Sequence, residues 1–143
     1  MTDVVRRTGE ERRASIEENA EALGIDEAFI STLVDTFYGK VRGDALIGPV
    51  FEGAIGESWD AHLPKMKSFW SSMALGTKTY NGRPLPPHMR LPGLSEAHFT
   101  RWLTLFNATL DEIAPNPAAH DFFLERAARI AKSFQFMIFQ ANL

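Results

Sequence analysis

The chain has 143 residues, a formal net charge of −3, 11 Phe, 3 Trp, 2 Tyr and no Cys. The absence of cysteine excludes disulfides, thiolate metal sites and cysteine nucleophiles, and it fits a reducing, cytoplasmic setting. With no basic block, no apolar run near the roughly 18 residues that span a bilayer, and no signal-peptide core at the N-terminus, neither nucleic acid nor a membrane is an expected partner.

A chain of this length buries roughly two thirds of its unfolded surface, enough for a core and an internal ligand within one domain. Thr8 to Leu23 reads as a first helix, with Thr8 and Glu11 as a capping box and Gly24 as its C-cap. Its apolar stripe (Ile16, Ala20, Leu23) is thin, which predicts loose packing. Asp26 caps a second helix, in which Ile30, Leu33, Val34, Phe37 and Val41 recur at the spacing of a core-facing stripe. Tyr38 lies on that stripe too, and a buried phenol needs a hydrogen-bond partner.

From Gly43 to Ile55 the sequence is broken by Gly43-Asp44, Gly48-Pro49 and Gly53, which predicts a short non-helical middle with Phe51 pinned in a corner. Ser58 or Asp60 then caps a third long helix that runs to Leu75 and closes at Gly76. Trp59, Leu63, Met66, Trp70 and Met73 mark its apolar side, and His62, Met66, Phe69 and Met73 form a row beside it. Pro64 cannot donate to the carbonyl of Asp60, so an irregular first turn is expected around His62.

Tyr80 to Leu94 is the most proline-dense stretch of the chain. Pro84, Pro86 and Pro87 stop a long helix but allow a one- or two-turn helix to start, and Pro92 ends it. The expectation is a stiff pedestal carrying His88. Ser95 caps a fourth long helix, with Phe99, Trp102, Leu103, Phe106, Leu110 and Ile113 on its buried side. Asn116-Pro117 opens the last helix, which runs to about Gln140 with a stripe of Phe123, Ala127, Ile130, Phe134 and Met137 or Ile138. Alternating Val- and Ile-rich strands are missing. The fold class is all-α, with five or six helices.

The chemistry-bearing residues on these faces are few. Tyr38, His62 and Trp102 project from apolar helix faces, and His88 stands on the pedestal. Inward carboxylate pairs, a Gly-rich phosphate loop and a nucleophile elbow are all missing. The four histidines (62, 88, 98 and 120) include no pair at helical metal-site spacing, which argues against zinc. His98 and His120 read as surface residues near helix starts. One histidine facing a box of Phe, Trp, Met and Leu suits haem, a flat apolar cofactor that needs an axial imidazole inside a helical shell.

Several separated motifs occur in an order that resembles the truncated haemoglobins. They are Phe37-Tyr38-Gly-Lys-Val-Arg, then Gly48-Pro49-Val50-Phe51, then His62 with Phe69-Trp70 and Leu75-Gly76. The run Tyr80-Asn-Gly-Arg-Pro-Leu, followed by His88 and by Phe99-Thr-Arg-Trp102-Leu-Thr-Leu-Phe106, is similar to the third group of that family. The likeness covers about Ile25 to Gln140. It implies a globin-like, shortened two-on-two helical sandwich, with residues 1–25 as an N-terminal extension and 26–141 as a haem-binding core within a single domain, 1–143. It also implies a non-covalent b-type haem with His88 as the iron ligand. Tyr38 and Trp102 match distal donors, and His62 matches the distal histidine. Phe51 matches the corner aromatic against the haem. Phe37, Phe69, Trp70, Leu85, Leu91, Phe106, Ile130 and Phe134 match pocket walls. Lys65, Lys67 and Arg90 are the candidate propionate partners by sequence proximity.

Donors of this kind hold O2 strongly, which disfavours transport. The resemblance therefore implies a monomer that binds O2, NO and CO and serves NO or reactive oxygen and nitrogen detoxification, as an NO dioxygenase or in peroxidase-like chemistry, with electrons from an external reductase. The alternatives are a gas-binding or gas-sensing globin without turnover, and a cofactor-free helical interaction domain.

Overall fold

The computed structural model describes residues 9–77, 80 and 93–140. Within them lie six α-helices, one short 3-10 turn and no strand: α1 (Gly9–Leu23), α2 (Glu27–Gly43), α3 (Gly48–Ile55), α4 (Trp59–Leu75), α5 (Glu96–Ile113) and α6 (Pro117–Gln140). The main helix pairings are α2 with α4 and α5 with α6, and α2 also packs on α5 to join the pairs. The first helix packs on α4 and the short α3 packs on α2. None of these helices is long and apolar enough to cross a membrane.

The central helix is α2. Its cap is built as the sequence predicts: the Asp26 carboxylate accepts from the Phe29 amide at 2.9 Å. Ile30, Leu33, Val34, Phe37, Tyr38 and Val41 are all buried along one face. Full burial of an apolar side chain contributes about 1.5–3 kcal/mol, so this stripe is a main source of the fold's stability. Polar ties fix the helix at both ends. Ser71 Oγ of α4 donates to Glu27 at 2.8 Å, Lys67 meets Asp35 at 3.1 Å, and Lys40 meets Glu112 of α5 at 2.9 Å.

The middle of the chain differs from the sequence expectation. Gly48–Ile55 is helical, not a run of turns. Pro49 sits in its first turn, where the missing amide costs nothing, and the Asp44 carboxylate accepts from the amides of Leu46 and Ile47 at 3.0 and 2.9 Å. Gly48 is needed for close approach: a Cβ there would lie 3.0 Å from the Val41 carbonyl oxygen and 3.1 Å from that of Arg42. Gly48, which reads as a breaker, therefore lets α3 dock against the end of α2.

The expected irregular turn at His62 is also absent. The 3-10 turn Gly56–Ser58 leads straight into α4, and Pro64 lies inside a continuous helix. Irregularity moves upstream into that turn, so His62 sits on regular backbone. Gly76, at φ 72°, closes α4 in the left-handed conformation.

The remaining two histidines are half-buried rather than superficial. His98 completes the cap of α5, its Nδ1 accepting from the Ser95 amide at 3.1 Å. His120 bridges α5 and α6, with Nε2 2.8 Å from Asn107 and 3.0 Å from Asp111, and Nδ1 2.9 Å from Asp121. Asn116 does two jobs: its carbonyl accepts from the Ala119 amide at 2.8 Å, and its amide donates to the Leu23 carbonyl at 2.9 Å. It thus starts α6 and ties down the end of α1.

The apolar interior is in two parts. A large cluster runs from Ala20 and Ile25 through α2 and α4 to Phe106, Leu110, Phe123 and Ala127. A smaller one gathers Phe99, Ala131 and Ile138 between the start of α5 and the end of α6. Trp102 and Leu103 pack against both. The smaller cluster is a satellite of the main core, joined to it through Trp102 and Leu103.

Candidate functional site

Tyr38 is the centre of the candidate site. Four rings surround it: Phe37 at 5.0 Å, His62 at 5.5 Å, Trp59 at 5.7 Å and Phe51 at 5.9 Å between centroids. The helical stripe of α2 sends Tyr38 inward, α3 brings Phe51, and the first turn of α4 brings Trp59 and His62. Burial raises the Tyr38 pKa above the ordinary tyrosine value, because the phenolate has lost its water. The hydroxyl is therefore a neutral donor at every physiological pH.

The imidazole of His62 stands perpendicular to the Tyr38 ring, at 90°, and its Nε2 is sealed from solvent. On the other side of Phe37 lies Trp102, 5.7 Å away and edge-on at 86°. Behind Trp102 the rings stack in series. Phe106 lies 5.7 Å from it at 15°, and Trp70 lies 5.1 Å from Phe106 at 23°. Phe37 and Phe106 are fully buried, so this stack is anchored in the core.

Phe37 thus carries a donor-bearing ring on either side. Among the described residues, none accepts a hydrogen bond from the Tyr38 hydroxyl or from the Trp102 indole N–H. Trp59 differs: its indole N–H donates to Glu52 at 3.1 Å. A buried phenol and a half-buried indole whose protons no described residue takes are a donor set suited to a small polar ligand.

The other expected site residues fall around this arrangement. Phe69 packs on Trp70 at 5.4 Å and on Tyr80 at 5.3 Å, away from Tyr38. Ile130 joins the large cluster and Phe134, one turn on, joins the small one, so α6 spans the division between them. His88, Leu85 and Leu91 lie outside the described residues, as does Arg90. Lys67 is engaged with Asp35, and Lys65 is exposed.

Sequence reasoning put Trp59 on the apolar stripe of α4 but not in the site. Its signal was there: it is three residues before His62, hence on the same helical face.

A family model described as bacterial-like globin matches residues 20–136 of the chain. The group 3 truncated hemoglobin ctb of Campylobacter jejuni is 40% identical over 119 residues, which is 81% of this chain and 93% of that protein. The group 2 truncated hemoglobin YjbI of Bacillus subtilis is 26% identical over 118 residues, covering 80% and 86% of the two chains. The crystal structure of the group III truncated hemoglobin from C. jejuni superimposes with a TM-score of 0.75 at 40% identity, covering 80% of this chain and 91% of that one.

Proposed function

The chain belongs to the bacterial-like globin family and, within it, to the truncated haemoglobins of the third group, and from that premise we propose that it carries a b-type haem on His88 and uses Tyr38, Trp102 and His62 to hold a diatomic gas for chemistry rather than for transport. Globins of this family bind haem and, through it, small gases.

The residues present fit that cofactor. The apolar seam between the two clusters, where Trp102 and Leu103 pack, is the kind of surroundings a flat apolar group needs. The Tyr38 and Trp102 rings both contact Phe37, and their donors are not used by the described part of the chain, which supports a polar ligand nearby. Haem, when bound, supplies an iron atom that takes O2, NO or CO and exchanges electrons. The chain itself would supply His88 on one side and proton donors on the other.

The observation that carries the reading is that Tyr38 and Trp102 both pack on Phe37 while no described residue accepts from either donor. A hydrogen bond to a charge-bearing acceptor is worth about 1.5–3 kcal/mol. Each 1.4 kcal/mol slows release about tenfold. Two such bonds on one ligand make a poor carrier, because delivery needs release. They suit a protein that keeps O2 in place until NO arrives and is oxidised by it to nitrate. The surrounding Phe37, Phe51 and Trp59 exclude water, which strengthens the donors and limits proton leakage. Turnover needs electrons from outside the chain, from a reductase.

The test is stopped-flow O2 dissociation from the reduced protein, beside sustained NO consumption with a reductase supplied. Slow release that speeds up in Tyr38→Phe and Trp102→Leu, with NO consumed over many cycles, is expected. Unchanged dissociation in both variants would remove the donor role, and a single stoichiometric burst of NO loss would leave only gas binding.

A further inference from the structure

Trp59 is held from outside by an exposed ion pair. Glu52 Oε1 accepts from the Trp59 indole N–H at 3.1 Å and from Arg42 Nε at 3.2 Å. The Arg42 guanidinium also lies over the indole, 4.7 Å from its centroid. These three residues come from three helices: Arg42 from the last turn of α2, Glu52 from α3 and Trp59 from the first turn of α4. One carboxylate oxygen therefore closes the corner where they meet.

The inner face of the same indole touches the site. Trp59 is 4% exposed, and its ring lies 5.7 Å from Tyr38, 5.8 Å from His62 and 6.4 Å from Phe51, nearly parallel to the last at 19°. A planar wall held at one edge can pivot about its other axis. The bond at Nε1 and the guanidinium over the ring remove that freedom together. Their effect reaches Tyr38 and His62 because both rest on the wall they fix.

We propose that Glu52 is a positioning residue for the gas-binding site: by holding Trp59 against Arg42 it sets the placement of the Tyr38 and His62 donors from the protein surface. This rests on the functional reading above. Side chains of Arg42 and Glu52 are 50% and 45% exposed, so their attraction is screened by salt over about 8–10 Å at ordinary ionic strength. The donors of a buried site are thereby coupled to an element that solvent can reach.

The experiment uses the haem-loaded protein with CO bound. The infrared C–O stretch reports the donors facing the ligand, and the Trp59 indole N–H resonance reports the clamp independently of any turnover. Variants are Glu52→Ala, Glu52→Gln and Arg42→Ala, with Tyr38→Phe as reference. In Glu52→Ala the indole resonance moves, the stretch gains a second component, and O2 leaves about two- to fivefold faster, as expected for losing a partly exposed charged bond. Glu52→Gln keeps an acceptor for the indole but loses the charge that attracts Arg42, so it falls between the parent and Glu52→Ala, which separates positioning from a general loss of fold. Raising the salt concentration shifts the parent spectrum toward that of Arg42→Ala.

A stretch that stays unchanged in Glu52→Ala, while Tyr38→Phe moves it, overturns the positioning role and leaves the functional reading intact. A stretch that Tyr38→Phe fails to move overturns both. Glu52→Gln behaving like Glu52→Ala also overturns the proposal, since the indole acceptor would then not matter.

Discussion

Trp102 lies on Phe106 with centroids 5.7 Å apart and planes only 15° from parallel. Phe106 is fully buried and has Trp70 on its far side, so the orientation of the indole is set by the core and not by the ligand. A preset donor needs no reordering when a gas arrives. Trp102→Leu should speed O2 release by roughly 10- to 100-fold, the worth of one hydrogen bond to a charge-bearing acceptor. Tyr38→Phe should do the same. Because both rings rest on Phe37, the double variant should fall short of the product of the two effects, which a double-mutant cycle of dissociation rates would measure.

Removing His88 tests the proposed iron ligand. In His88→Ala the reduced protein should lose the absorption spectrum of an imidazole-ligated haem. Free imidazole added to the solution should restore it. A spectrum that ignores the substitution would hand the axial position to another side chain.

Alkaline pH gives a separate check on Tyr38. Burial holds its hydroxyl neutral in the fold, while in the unfolded chain it ionises near the usual tyrosine value of 10.0. Below that pH the two states carry the same charge and stability is unaffected. Above it the unfolded chain gives up a proton that the folded chain keeps, so stability falls as pH rises. Denaturant midpoints measured on either side of about pH 10 should therefore decline less in Tyr38→Phe than in the parent. Tyr80 is raised in the same direction, so some decline persists in the variant.

Asn116 offers a stability prediction far from the site. Its side chain caps α6 at the Ala119 amide and holds the Leu23 carbonyl at the end of α1. Asn116→Ala loses both bonds and should cost about 1–2 kcal/mol, in the range of a lost N-cap. Asn116→Asp keeps the acceptor and loses the donor, so its denaturant midpoint should fall between the other two.

Much of this was legible in the sequence, and the parts that were not share a cause. Tyr38 and Trp102 were found from helical spacing, because a stripe that buries Phe37 and Phe106 must carry its neighbours inward with it. Asp26 and Ser95 announced their helices through cap chemistry that acts within four residues. Helix α3 was missed because Gly48-Pro49 has the same local signature whether it turns the chain or starts a helix. What decides is Asp44 and the nearby backbone of α2, which no local rule sees. His62 was expected on irregular backbone because a proline forfeits a helical hydrogen bond, yet Pro64 is held inside a continuous α4. The neighbourhood of Trp59 depends on three helices meeting, and periodicity along one of them cannot report that.

The divided interior has a consequence for how the protein survives in a cell. Of the two apolar clusters linked through Trp102 and Leu103, the one with fewer buried side chains should open first. The cofactor then acts as a missing piece of core as well as a reagent. Stripping it should raise hydrogen exchange at the start of α5 and the end of α6 while α2 stays protected. Proteases would meet that loosened end before any other. By mass action, the amount of intact protein would follow the supply of haem, so a shortage of cofactor would lower the number of molecules as well as the activity of each.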